Sequence, residues 1–184
     1  MSQSGANPVA LRLPLGLGDL RLYLVTSAMV LGNLLLPYAV HRIPDGGRML
    51  LPIFFFTLIA GWRFGVAAGL LTGLLSPLAN HLLSGMPPLP APPSILVQSA
   101  LLGLLAATFA AGGRKPSLRI LTLVVLLHQA LILTPLWLST GPGPALAALE
   151  LRLPGLLLQV LGGFALLWFL GRHLPPSERP ARDR

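Results

Sequence analysis

The sequence predicts an all-α, polytopic membrane protein: a six-transmembrane-helix bundle with both termini on the cytoplasmic side (N-in/C-in). Three observations carry this. Hydrophobic residues make up 54% of the 184-residue chain and charged residues only 10%, with a mean hydropathy of +0.77. Soluble domains carry about 25% charged residues, so this surface must face lipid. The apolar runs are continuous and rich in Leu and Ala, as in helices of roughly 20 residues, whereas barrel strands alternate polar and apolar positions. The basic residues, finally, sit mostly between runs and segregate to one side.

Span 1 is predicted at Leu22 to Val40, followed by a turn at Pro44, Asp45, Gly46 and Gly47. Span 2, Met49 to Trp62, is bounded by Arg48 and Arg63. It is short for a crossing, so it must lean on neighbours, extend past its charges or thin the bilayer. Span 3 covers Phe64 to Leu83, with Pro77 expected to kink it. Met86 to Pro93 (MPPLPAPP) reads as a non-helical connection. Span 4 is Ser94 to Ala111, span 5 Leu118 to Leu138, and Gly141 to Pro144 reads as a further turn. Span 6 is Leu153 to Leu170. The organisation is then a cytoplasmic segment 1–19, a membrane domain 20–171 and a basic tail 172–184, expected to be disordered. No internal repeat and no cleavable signal peptide is evident.

With the N-terminus inside, Arg12, Arg21, Arg63, Arg114, Lys115, Arg119, Arg172, Arg179, Arg182 and Arg184 fall inside, and only Arg42, Arg48 and Arg152 outside. The net charge of +8 is thus a signature of topology, not of nucleic-acid binding. The implied location is the cell's inner (cytoplasmic) membrane.

Polar side chains inside lipid spans are costly and therefore informative. The candidates are Asn33, Asn80, His81, Gln98, His128, Gln129 and Gln159, with Trp137 as a wall or an interfacial anchor. On the spans above, they lie mainly in the outer half, and only His128 and Gln129 approach the midplane. Such one-sidedness of the group fits a pocket open to the outside; taken individually, each reads as interhelical glue.

Other chemistry is poorly supported, and no enzyme, cofactor or metal site is expected. The acids Asp19, Asp45, Glu150, Glu178 and Asp183 all lie outside the predicted spans, so a buried catalytic triad or an ion-coupled carrier lacks its carboxylate. There is no Cys, no nucleophile elbow or H-E-x-x-H, and no phosphate-binding loop.

The run PDGGRMLLPIFFFTLIAGWRFGVAAGLLTGLLSPLANHLLSGMP resembles the substrate-binding S component of energy-coupling factor transporters, as does PGLLLQVLGGFALL near the end. The resemblance rests on a Gly-Gly turn, a short Pro-containing second span and a Gly-spaced third span entered through W-R-F-G. It implies a small six-helix subunit that binds a vitamin or related micronutrient from outside. It also implies partners: a transmembrane coupling protein driven by two cytoplasmic ATPases. Ala28 and Gly32 match one step of the small-residue ladder on which family members dock that protein, with Ser27 beside them. The alternatives are a non-transport scaffold of envelope assembly and a self-sufficient facilitator.

Overall fold

The structure, a computed structural model, describes residues 13–40, 50, 52–85 and 92–173. Among them there is no strand. The helices are α1 (Leu20–Val40), α2 (Phe55–Phe64, entered through a 3-10 turn at Pro52–Phe54), α3 (Val66–Ser84), α4 (Pro92–Ala110), α5 (Leu118–Thr140), α6 (Pro142–Leu157) and α7 (Gly163–His173). A π-helical turn, Leu158–Gly162, joins α6 to α7. Together these last elements form one 32-residue rod, Pro142–His173. The described residues therefore form six helical columns. Four are long and apolar enough to cross a membrane; the apolar stretches Leu20–Leu36 and Pro52–Phe64 are shorter.

The shortest column lies at the centre. In α2 every residue but Phe56 is buried, and it packs against α1, α3, α4 and α7. Span 2 thus takes the first of its three options: it leans on its neighbours, and protein replaces lipid around it. It also runs past Arg63, expected to bound the span. Arg63 is 1% exposed, with its guanidinium 6.0 Å from the Phe64 ring centre. The segment before α1 covers this end, Leu13 and Leu15 donating backbone N–H bonds to the carbonyls of Arg63 and Phe64 at 2.7 and 3.0 Å.

Glycine sets how closely the central helices approach. A Cβ at Gly69 would lie 2.7 Å from the Gly103 carbonyl oxygen, and one at Gly73 would lie 2.7 Å from that of Ser99. Cβ atoms at Gly61 and Gly103 would likewise strike the opposing backbone. Without these side chains, α2, α3 and α4 meet backbone to backbone, as small residues permit in membranes. Leucines such as Leu24, Leu82, Leu138 and Leu157 point outward and are exposed, the inverse of a water-soluble bundle.

Several expected boundaries move. α4 begins at Pro92, inside the segment expected to be non-helical, and α6 begins at Pro142, inside an expected turn. In both, proline occupies the first helical turn, where its missing N–H is not needed. Gly141 alone separates α5 from α6, at φ 85°. The rod starts eleven residues before the predicted span 6, and α6 runs through Glu150, Arg152 and Pro154. α3 also continues through Pro77. Arg172 and His173, assigned to the tail, close α7, with the Arg172 guanidinium 3.9 Å from the Trp168 ring centre. The Asp45–Arg48 turn, most of MPPLPAPP and the tail beyond His173 lie outside the described residues.

Candidate functional site

The polar candidates separate into two groups with opposite hydrogen-bonding states. The first centres on Asn33. Its Nδ2 donates to Thr57 Oγ1 at 3.1 Å and to Ser76 Oγ at 2.9 Å, and its Oδ1 accepts from the Phe56 backbone N–H at 3.0 Å. The Thr57 and Ser99 hydroxyls lie 3.3 Å apart. Asn33, Thr57, Ser76 and Ser99 are all fully buried, and they tie α1, α2, α3 and α4 together. Asn33 is satisfied here as interhelical glue. Its three hydroxyl partners escape sequence reading because Ser and Thr in helices usually bond to their own backbone; only rotation of four helices brings them together.

The second group lies on α5 and the rod. His128 Nε2 donates to the backbone carbonyl of Gln98 at 2.9 Å; a carbonyl only accepts, so Nε2 carries the proton. The Phe54 ring stands edge-on to this imidazole, centroids 5.7 Å apart. Gln98 thus contributes its backbone to His128, while its half-buried side chain is not the acceptor. Arg152, assigned to an outer loop by sequence, instead lies half-buried within α6, and its Nη1 donates to Gln129 Oε1 at 3.3 Å. Four polar atoms in this group have no hydrogen-bond partner: His128 Nδ1, Gln129 Nε2, and both Nε2 and Oε1 of Gln159. Their residues are at most 2% exposed. Buried polar groups in native proteins are overwhelmingly paired, and each orphan costs about 1–3 kcal/mol.

Gln159 occupies the π-helical turn. Such single-turn widenings recur at functional sites. Because the rod starts at Pro142, Gln159 sits near its middle and not in the outer half where the predicted span placed it. Here Gly162 and Gly163 bring the turn against α2: a Cβ at Gly162 would lie 3.0 Å from the Phe55 ring, and one at Gly163 would lie 3.2 Å from Leu58.

Beside Gln129, α5 and α6 enclose a crevice of about 360 Å³. Leu126, Gln129, Leu133 and Trp137 line it from α5, and Ala145 and Leu149 from α6. Trp137, 59% exposed, walls its Gly141 end. Of the eight predicted binding residues, Gln129 and Trp137 line this crevice. Asn33, Asn80, His81, Gln98, His128 and Gln159 do not. Asn80 lies on α3, its Oδ1 3.3 Å from the Ser84 hydroxyl, and His81 beside it is half-buried.

The expected docking pair also divides. Ala28 is exposed, whereas a Cβ at Gly32 would lie 2.7 Å from the Phe56 ring. Gly32 therefore packs within the chain. Ser27, next to Ala28, lines a groove between α1 and α3 with Thr26, Leu31 and Leu75.

Compared with protein-family models, curated proteins and solved structures, the chain matches none of them. What defines it is its class: an all-helical protein whose apolar columns are compatible with a membrane.

Proposed function

We propose that this protein is a membrane-embedded binding subunit of energy-coupling factor type. In this reading it captures a vitamin or related micronutrient from outside and hands it on through a coupling protein and two ATPases. The protein is a six-span, N-in/C-in bundle of the cytoplasmic membrane. The observation that carries the reading is the set of unpartnered buried atoms on His128, Gln129 and Gln159, of which Gln129 lines an apolar crevice. A fold with no ligand has little use for four orphaned polar atoms, and a molecule bound in the crevice can accept from the one on Gln129. The satisfied Asn33 knot and the glycine contacts give the other half of the bundle the rigidity a binding site needs. In this reading energy comes from partners, because the sequence holds no phosphate-binding loop and Glu150, which α6 carries, is exposed rather than buried.

Two measurements test this. Native mass spectrometry of the purified chain is expected to reveal a co-purified small molecule. In proteoliposomes the chain alone is expected to bind that molecule without concentrating it. Accumulation against a gradient by the pure protein would refute the reading.

A further inference from the structure

We propose that the α5–α6 crevice takes a small amphiphilic anion, a carboxylate on an unbranched apolar body, with Arg152 and Gln129 holding the head and Trp137 covering the tail. This rests on the reading of the chain as a binding subunit and names the chemical class of its ligand.

The argument begins with the register of the hairpin. Pro142, Ala145 and Leu149 line the crevice from α6, and the next position on that helical stripe is Arg152. On α5 the stripe Trp137, Leu133 and Gln129 descends in parallel. The bond between Arg152 Nη1 and Gln129 Oε1 therefore closes the deep end. Between Gln129 and Trp137 lie about 12 Å of helix, faced by leucine and alanine: room for a medium-length alkyl body and little that would hold a polar one.

Charge then selects the head. The Arg152 guanidinium is permanently cationic and half-buried. Among the described residues it has no carboxylate partner; the ion pair recorded there joins Arg21 to Asp19. Its bond to Gln129 uses one of its five donors, and Gln129 Nε2, 2% exposed, is a further donor with no acceptor. Two donor groups, one charged, thus lie side by side, and beyond the Arg152–Gln129 bond no acceptor among the described residues meets them. A carboxylate accepts from both, in the forked geometry that guanidinium favours. A cation is repelled, and a neutral alcohol offers a single oxygen with no charge to balance the guanidinium.

The test uses decanoate, with decanol as its uncharged counterpart. The full chain is placed in phosphatidylcholine nanodiscs and titrated calorimetrically against empty discs. Decanoate is expected to bind saturably, about tenfold or more tighter than decanol. Arg152→Met should abolish that preference, and Arg152→Lys, which keeps the charge, should retain part of it. Equal binding of the two probes, or a preference unchanged in Arg152→Met, overturns the proposal. Adding phosphatidylglycerol to the discs should leave decanoate binding intact; its loss assigns the crevice to an anionic lipid headgroup and also overturns the proposal. Decanoate binding without uptake, when the chain is coexpressed with a coupling protein and ATPases, leaves the site standing and removes the transport reading. A different co-purified molecule, with no decanoate binding, does the reverse.

Discussion

Arg152 on α6 donates to the side-chain oxygen of Gln129 on α5 across 3.3 Å, joining two helices separated by a single residue, Gly141. The bond ties a charged donor to an amide whose nitrogen remains unpartnered. Removing either partner therefore leaves the other worse satisfied.

A double-mutant cycle reads that dependence. Arg152→Ala and Gln129→Ala should each lower stability, and the pair should be less than additive, with a coupling of about 0.5–3 kcal/mol. Thermal unfolding of the four proteins in one detergent measures it; strict additivity means the bond contributes nothing.

The Asn33 knot should matter more. Asn33→Leu leaves the Phe56 N–H without its acceptor and strips the Ser76 hydroxyl of a donor, inside the joint of four helices. A loss of about 1–3 kcal/mol or more is expected. Thr134→Val is the control, since the Thr134 hydroxyl bonds only to its own helix at Ala130 and should change little. Equal effects of the two substitutions would remove the knot from the stability argument.

Glycine substitutions should divide by position. Gly103→Ala sets a methyl against the Gly69 backbone, which cannot swing aside as a side chain can. It should cost about 1–3 kcal/mol through separation of α3 and α4. Gly143→Ala meets nothing within 4 Å and should stabilise α6 by roughly 0.5–1 kcal/mol. Thermal shifts of opposite sign are the expected outcome.

The proposed orientation is open to cysteine labelling, because the native chain has no thiol. Ser117→Cys, before α5, should be protected in intact cells, and Gly143→Cys, just past the Gly141 corner, should react with an impermeant maleimide. The opposite pattern inverts the protein.

The helical class was legible in the sequence because lipid as solvent leaves its mark on composition: few charges, long apolar runs, prolines and glycines at the ends. The polar residues worth attention were legible for the same reason. Their sorting was not. Asn33 and Gln159 look alike in sequence, yet one has three partners and the other none. What separates them is the rotation and approach of neighbouring helices, fixed by contacts such as Gly69 with Gly103. Arg152, placed just outside the predicted span 6, lies within α6. In the fold, a long side chain can keep its stem among apolar neighbours while its head finds a polar partner.

The burial of α2 bears on how the chain enters a bilayer. Ten residues ending in Arg63 and Phe64 make a weak client for the insertion machinery, since a crossing helix needs about 20. Gly65, at φ 89°, joins this helix directly to α3, which is long and apolar enough to insert. The two are thereby suited to enter as a hairpin, the second carrying the first. The glycine contacts with α4 can close only after α4 itself has been synthesised. In the proposed membrane setting, the innermost helix is expected to enter as a passenger and to be enclosed last.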